Sequence, residues 1–431
     1  MRNLINSEEI SRLRLEMTSS YTMLSLYIHI PFCASKCAYC WFNSMPTDSS
    51  DSLIDTYIVT LKKEIDHYAN ILTDKSLKTV YIWWGTPSRI GVVRIIDIIE
   101  YIRTKFDFED LAELSIELNP YPEAEVLNFV QVLNKKYDKV SRLRYSFGIQ
   151  SFDDEVLKMT WRGYNFWAIV EFLRSLVKLK KDNNVFNFDF IAFGKFQVSK
   201  NGFKQLWHEF KRDFFQKFLA SGYVDSISLY TLEGISHFDS AKAGEKSYKK
   251  WGDFSPKLEM TCTTPTYHWT DDEIMEEFTI LKEIIEDAGF GRYEISNFAA
   301  ASKVSIHNMV YWNMEPYIGL WLSASSFFGS KRRTNTADIK QYLEWTYIDE
   351  KEVHVLNESD LLIEEFFLRL RTREGIADLG KFISVLVPNY EWLITNFKKA
   401  ELVDFDRKRL QLTDAGMDVS NSIITDLLEK I

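Results

Sequence analysis

The sequence predicts an α/β fold: a partial or complete (β/α) barrel followed by a C-terminal helical, winged-helix-like domain. Apolar runs of strand length alternate with helical segments, the alternation occurs six times, and polar residues repeatedly follow the strands. Strands that alternate with helices favour βαβ units and a parallel sheet. In a barrel of such units the chemistry lies at the carboxyl ends of the strands.

Each unit pairs an apolar run with a segment of helical periodicity. The predicted strands are Leu24–Ile30, Lys78–Trp83, Glu113–Leu118, Leu143–Ile149, Val185–Phe193 and Asp225–Leu232. The predicted helices are Leu53–Leu72, Val92–Lys105, Pro122–Lys136, Phe166–Lys180, Phe203–Ala220 and Asp271–Ala288. The long stretch Gly234–Tyr267, between the sixth strand and its helix, is expected to be a lid or an insertion.

Three parts are predicted along the chain. Residues 1–22 are a polar lead-in, residues 23–335 form the barrel with a following substrate or lid segment, and residues 350–431 form the C-terminal domain. In that domain an amphipathic helix over Ser359–Arg373 precedes a hairpin, and Thr413 caps a last helix. Because the charge balance argues against DNA binding, we expect this domain to act as a substrate lid.

Composition narrows the class of protein. The 431 residues are 46% hydrophobic and 26% charged, as in ordinary globular proteins. The formal net charge of −10 argues against a nucleic-acid partner, which selects for clustered Lys and Arg. No apolar run approaches the ~18 residues of a membrane span, and the N-terminus has no apolar signal core. We therefore expect a cytoplasmic protein with reduced thiols.

Three of the four cysteines follow the first strand with the spacing C-x3-C-x2-C, at Cys33, Cys37 and Cys40. Three thiols this close cannot all pair as disulfides, and Cys262 lies far along the chain. A cubic iron–sulfur cluster normally takes four Cys ligands. Three local ligands would leave one iron open, which is where chemistry occurs.

The three cysteines have two alternatives to a cluster. Zinc is one, but structural zinc sites are usually closed by four ligands, and the nearby His29 lies inside the strand. Three packed core cysteines are the other. Ser35 and Lys36 disfavour it, because they indicate an exposed loop.

Polar residues also stand at the ends of the later strands: Thr86, Glu117, Gln150, Asp189 and Tyr230. Each alone has a structural alternative, as a helix cap or a satisfied buried polar group. Packing would favour apolar residues at all of these positions. Together they predict a mouth lined by charged, amide and hydroxyl groups, which suits a zwitterionic nucleoside.

The stretch Tyr27–Phe42, with its cysteine spacing, resembles the radical S-adenosylmethionine (SAM) superfamily, and more narrowly the group of oxygen-independent coproporphyrinogen III oxidase and haem chaperones. The resemblance implies a [4Fe–4S] cluster on Cys33, Cys37 and Cys40, SAM on the open iron, and a 5′-deoxyadenosyl radical. It also implies an electron donor such as flavodoxin or ferredoxin. The oxidase is expected to carry another cysteine two residues past the third, where this chain has Phe42, as in the chaperone branch.

The resemblance assigns the binding of SAM to residues at the strand ends. They are Tyr27, Phe42, Gly85, Thr86, Glu117, Gln150, Arg162 and Asp189. Two departures stand out. Trp83 and Trp84 replace two expected glycines. Glycine is used where a backbone approaches a ligand closely. We therefore expect a narrowed SAM pocket, with at least one indole pointing away from the cluster. The segment Ala192–Lys195 lacks the expected Gly-Leu-Pro ending.

A second motif, His-Asn-x-x-Tyr-Trp at His307–Trp312, resembles an element associated with haem binding in the chaperone branch. His307 is therefore a candidate axial haem ligand, with Arg332 or Arg333 near a propionate. The alternative is a hydrogen-bonded structural histidine.

Three functional hypotheses follow. The leading one is a radical SAM enzyme that acts on a tetrapyrrole or another small organic substrate. The second is a class C methylase that uses two SAM molecules on a small aromatic or peptide-derived substrate. The third is a non-catalytic haem carrier, and anaerobic turnover of SAM to 5′-deoxyadenosine separates it from the enzymes.

Overall fold

The computed structural model describes residues 23–37, 39–40, 43–83, 85–194, 202–232, 270–344 and 353–428. Several predictions fall on other residues: those for Phe42, Trp84 and Cys262, the predicted lead-in, and the predicted lid or insertion over Gly234–Tyr267. They lie outside the described residues.

Strands and helices alternate along the described chain. The strands are β1 (Leu24–His29), β2 (Phe32–Cys33), β3 (Met45–Pro46), β4 (Leu77–Trp83), β5 (Glu113–Leu118), β6 (Leu143–Gln150), β7 (Asn184–Ala192), β8 (Ser226–Thr231), β9 (Gly291–Glu294), β10 (Asn297–Ala299), β11 (Tyr317–Leu320), β12 (Ser325–Phe328), β13 (Lys331–Thr334), β14 (Val353–Val355), β15 (Val403–Asp406) and β16 (Arg409–Leu412).

The α-helices are α1 (Ser52–Ile71), α2 (Val92–Arg103), α3 (Glu123–Lys136), α4 (Asp154–Met159), α5 (Phe166–Leu176), α6 (Gly202–Leu219), α7 (Asp271–Asp287), α8 (Ile306–Trp312), α9 (Ile339–Leu343), α10 (Glu358–Arg369), α11 (Tyr390–Lys399), α12 (Asp414–Asp418) and α13 (Ser420–Leu427). Short 3-10 turns lie at Pro87–Ile90, Val177–Leu179 and Leu379–Val385. Within the ranges above, none of the helices is both long and apolar enough to cross a membrane.

The six predicted strands form one run of parallel neighbours, β1-β4-β5-β6-β7-β8. β11 lies parallel to β1, and β12, β13 and β14 extend that edge with antiparallel pairs. β10 and β9 extend the other edge beyond β8. Across the described residues the order is linear from β14 to β9. The predicted α/β fold is thus confirmed, as a partial rather than a closed barrel.

The parallel strands present two different faces, because successive side chains of a strand point to opposite sides. On β6, Leu143, Tyr145, Phe147 and Ile149 are buried in the main apolar core under the helices. The residues between them are Arg144, Ser146, Gly148 and Gln150. We call the side on which these polar residues lie the inner face and the apolar side the outer face. The same alternation places Tyr27, Tyr81, Glu117 and Asp189 on the inner face.

The C-terminal part has its own apolar cluster, built by residues between Phe366 and Leu428. The hairpin β15–β16 and the helix that follows confirm the predicted helical region, and Thr413 caps α12 by accepting the N–H of Gly416. This part contacts the barrel through Asp418, which pairs with Lys282 and, at 2.6 Å, with Arg292. The exact domain bounds stay a prediction.

Candidate functional site

The cysteine loop begins where β1 ends. The short strands β2 and β3 pair in parallel and draw the two ends of the loop together. Cys33 is buried, Cys37 and Cys40 are half-buried, and the N–H of Cys40 donates to the carbonyl of Cys37 at 3.1 Å. Burial, with the neighbouring Cys37 and Cys40, raises the pKa of the Cys33 thiol to about 12. The three thiols are therefore close enough to interact electrostatically, as ligands of one centre must be.

The β4 end packs directly against this loop. Gly85 has φ +58°, and a Cβ there would lie 2.3 Å from the carbonyl oxygen of Ile30. The next residue, Thr86, donates its N–H to Phe32 at 2.8 Å, and its hydroxyl lies 3.8 Å from Cys33 Sγ. Only glycine tolerates both this backbone conformation and this approach. Gly85 and Thr86 thus hold the second strand end against the cysteines, where the sequence places them.

A third contact joins the loop to β6. Arg162 donates from Nη2 to the hydroxyl of Tyr39 at 2.6 Å, which ties it to the residue between Cys37 and Cys40. A Cβ on Gly148 would lie 2.8 Å from Gln150 Nε2 and 3.4 Å from Arg162 Nη2. The side chains of Gln150 and Arg162 therefore converge over a strand residue without a side chain. Sequence reasoning missed Tyr39, although its place between two cysteines was a usable signal.

Glu117 and Asp189 meet deeper on the inner face. Tyr81 donates a short hydrogen bond to Glu117, and Ser146 donates to Asp189 at 2.9 Å. Asn187 adds a second donor to Asp189 at 2.8 Å. Burial first, and then the negative charge of Asp189, raise the pKa of Glu117 to about 8. Near neutral pH Glu117 is thus mostly protonated and able to donate a hydrogen bond.

Aromatic side chains fill the inner face beside these carboxyl groups. The indole of Trp83 stacks on Tyr81 with ring centroids 5.3 Å apart and an interplanar angle of 15°. The buried Tyr27 meets Trp83 edge-on at 6.4 Å. Trp83 therefore lies inside the barrel and reduces the space there, as the sequence predicts. Where Trp84 points stays a prediction.

His307 lies at the start of α8, fully buried against the inner face. Its Nδ1 is 2.6 Å from the Thr79 hydroxyl, and its Nε2 is 2.8 Å from the Tyr311 hydroxyl. Burial lowers its pKa to about 3, so the ring is neutral. Glu113 accepts its backbone N–H at 3.2 Å. In this conformation both ring nitrogens have partners, which favours the structural alternative; the haem-ligand role stays a prediction.

The two arginines proposed for a propionate are also engaged. Arg332 pairs with Glu364 at 2.8 Å, and Arg333 donates to Asn335 at 3.0 Å. A role near haem would require either side chain to exchange its partner. That role stays a prediction too.

The residues fit the cluster and SAM that the resemblance implies. The three thiols are close enough to interact electrostatically, Gly148 leaves room that a Cβ would fill, and the buried Nε of Arg162 has no hydrogen-bond partner among the described residues. In the same part of the chain, no three or more His, Cys, Asp and Glu side chains are placed to hold a single metal ion.

The fold and this site define an α/β protein with three neighbouring cysteines at the carboxyl end of a parallel partial barrel. Residues 27–197 match the sequence profile of the Radical SAM superfamily. The predicted resemblance to this superfamily, and to its group of haem chaperones and coproporphyrinogen III oxidase, is confirmed, and residues 27–197 carry it as a Radical SAM domain.

Individual relatives span most of the chain. A protein of Lactococcus lactis named heme chaperone HemW is 25% identical over 94% of this chain and 97% of its own length. A zebrafish protein, radical S-adenosyl methionine domain-containing protein 1, is 28% identical over 82% of this chain and 74% of its own. The solved structure of coproporphyrinogen III oxidase HemN from Escherichia coli superposes with a TM-score of 0.72 at 19% identity, covering 99% of this chain and 94% of that one. This last likeness shows the fold.

Proposed function

We propose that this protein is a radical SAM-type haem chaperone, which binds haem and passes it to an acceptor. The observation that carries the proposal is the near full-length similarity to proteins named heme chaperone, which covers both the barrel and the C-terminal part. Phe42 stands where the oxidase is expected to have a further cysteine and so agrees with this choice. Trp83 inside the barrel also disfavours a macrocyclic substrate there, because it occupies space beside Tyr27 and Tyr81.

Cys33, Cys37 and Cys40 would hold a [4Fe–4S] cluster, and the strand-end residues would hold SAM. When bound, a reduced cluster supplies the electron that cleaves SAM, and the protein supplies orientation and exclusion of water. Arg162, fixed by Tyr39, links the cysteine loop to Gln150. Glu117 and Asp189 would form hydrogen bonds with hydroxyl or amino groups of the ligand. Because the pKa of Glu117 is about 8, its carboxyl group would act as a donor near neutral pH.

Iron analysis tests the cluster. Cys37→Ala should lose most of the iron after anaerobic reconstitution, because Cys37 is one of three clustered thiols. Cys262→Ala, the matched control, should keep the wild-type iron content, measured by inductively coupled plasma mass spectrometry. If Cys262→Ala loses as much iron as Cys37→Ala, then Cys262 is a fourth ligand and the centre has no open iron.

Haem titration and transfer test the chaperone function. The reconstituted protein should bind haem with a saturable Soret shift. It should then deliver the bound haem to apomyoglobin, at a rate above that of haem added to apomyoglobin in buffer without the protein. Free protoporphyrin IX serves as a ligand control that lacks iron. If the Soret band titrates without saturation, or if bound haem never reaches apomyoglobin, the chaperone function is wrong.

The same titration decides the role of His307. His354→Ala is the control, because His354 is an exposed histidine on β14. A Soret shift that disappears in His307→Ala but persists in His354→Ala, with native circular dichroism in both, would make His307 the iron ligand. An unchanged shift in His307→Ala would leave it the structural role that its hydrogen bonds to Thr79 and Tyr311 indicate.

The second candidate is a radical SAM enzyme that acts on a tetrapyrrole. It is favoured by the same cysteine centre and by the carboxyl groups beneath it. Anaerobic incubation with SAM, a reductant and coproporphyrinogen III should then release 5′-deoxyadenosine together with decarboxylated porphyrinogen. SAM cleavage without a change in the porphyrinogen would favour the chaperone. The relatives described above lend no support to the methylase hypothesis.

A further inference from the structure

Arg144 on β6 is a buried cation that makes no hydrogen bonds within the described part of the chain. Its side chain is 2% exposed, and it makes no hydrogen bond with any residue that the structure describes. Its Nε and Nη1 are both buried, and no described residue offers either of them an acceptor. A guanidinium group carries five N–H donors, and buried donors are nearly always satisfied. This side chain therefore needs a partner that the described protein residues do not provide.

The acidic groups around Arg144 do not fill that role. The closest, Glu117, has Oε1 3.9 Å from Nη1, beyond hydrogen-bonding distance. Glu113 accepts from Ser115 at 2.8 Å and from the backbone N–H of Ile306 at 3.0 Å. These carboxyl groups have donors of their own. Tyr81 and Tyr293 also lie close enough to Arg144 to interact with it electrostatically.

The carboxyl groups on the inner face near Arg144 are stabilised by other donors. Asp189 is compensated by Ser146 and Asn187, which donate to it at 2.9 and 2.8 Å. Glu117 is mostly protonated near neutral pH, because its pKa is about 8. Burial opposes the charge of Arg144, but neighbouring groups such as Tyr81 and Glu113 outweigh burial and raise its pKa, so the guanidinium stays charged while its Nε and Nη1 have no acceptor among the described residues.

We propose that Arg144 is the anchor of a carboxylate-binding site inside the barrel, distinct from the haem site. A planar guanidinium matches a carboxylate through two parallel hydrogen bonds. Strand register places Arg144 level with Tyr27 and Tyr81, one inner position deeper than Trp83 and Glu117. These rings restrict the site to a small molecule or to a narrow carboxylate arm. The carboxylate belongs either to SAM or to a separate small molecule.

The test uses the full-length, iron-reconstituted protein with formate and propionate as probes. At constant ionic strength, both should raise the midpoint of thermal unfolding with saturation, whereas chloride should not, because chloride cannot bind the guanidinium through two oxygens. In Arg144→Lys the concentration of formate or propionate that gives half of the maximal shift in the unfolding midpoint should rise at least tenfold. Arg174→Lys is the control, since Arg174 is 66% exposed on α5. No carboxylate shift in the wild type, or an equal shift in Arg144→Lys, would overturn the proposal.

Competition identifies the source of the carboxylate. If SAM supplies it, saturating SAM should abolish the propionate shift and 5′-methylthioadenosine, which has no carboxylate, should not. If the shift persists with both, the site belongs to a separate molecule. If Arg144→Lys fails to fold, crystals of the wild-type protein soaked in propionate provide the test. They must show the propionate carboxylate within hydrogen-bonding distance of Arg144. No bound propionate there at a saturating concentration overturns the proposal.

Discussion

The outer and inner faces of the same parallel strands differ sharply. On β6 the outer residues Tyr145 and Phe147 are fully buried among apolar groups, whereas the inner residues Arg144 and Ser146 are buried among polar ones. A closed (β/α) barrel is usually filled by layers of bulky branched residues. Here the inner face carries hydroxyl, amide and charged groups instead. The helices and the outer face hold the fold together, which leaves the inner face available for chemistry.

The two faces are also stabilised by different interactions. Phe147 packs against Phe172 and Phe188, with ring centroids 5.5 Å away in each case. Such contacts are non-directional and grow with the buried area. Ser146 instead accepts from Asn187 and donates to Asp189, both at 2.9 Å. Net hydrogen-bond contributions are small, but an unsatisfied partner is costly.

The largest expected effect is on the outer face. Phe147→Ala should lower the free energy of unfolding by about 3–5 kcal/mol, because it leaves a cavity in a packed aromatic cluster. Its neighbour Ser146→Ala, on the inner face, should cost only about 1–2 kcal/mol. Urea unfolding followed by circular dichroism measures both. Equal costs would contradict the division of roles between the faces.

A smaller, pH-dependent effect is expected from Glu117→Gln. Burial raises the pKa of Glu117 from an ordinary 4.5 to about 8, so the folded state binds more protons than the unfolded state between these values. The carboxyl group therefore makes stability fall as pH rises through this interval, by at most about 1.4 kcal/mol per pH unit. Glu117→Gln should flatten that slope.

The control for this pH series is Glu125→Gln, since Glu125 is exposed on α3. Its unfolding free energies at pH 5, 6, 7 and 8 should run parallel to those of the wild type. A Glu117→Gln protein with the wild-type slope would mean that this carboxyl group is ionised throughout.

The smallest effect on stability, with a clear effect on binding, is expected from Gly148→Ala. The added Cβ would meet only the ends of the Gln150 and Arg162 side chains, at 2.8 and 3.4 Å, so they can shift at a cost of about 1 kcal/mol or less. SAM affinity, measured by anaerobic calorimetry, should nevertheless fall severalfold. Gly291→Ala is the control, because its nearest contact is 4.0 Å away. Unchanged affinity in Gly148→Ala would remove this position from the SAM site.

Much of this protein follows from its sequence, because local patterns carry the information. The six strands lie within one or two residues of their predicted ends, since runs such as Leu143–Ile149 are bounded by turn and helix signals. The cysteine spacing predicts the cluster site without any structure. Glu117 and Asp189 were predictable as a pair, because parallel strands bring their carboxyl ends together.

Other features depend on contacts between residues far apart in the sequence, and only the tertiary structure decides them. Whether the barrel closes depends on the pairing of its outermost strands. Arg144 lies in an apolar run, and no local pattern shows that its Nε and Nη1 find no acceptor among the residues that the structure describes. The hydrogen bond between His307 Nδ1 and Thr79, 228 residues away, favours the structural role of this histidine, and no local pattern shows it. A hydrogen-bond partner is set by the packing of whole elements, which a motif of six residues does not encode.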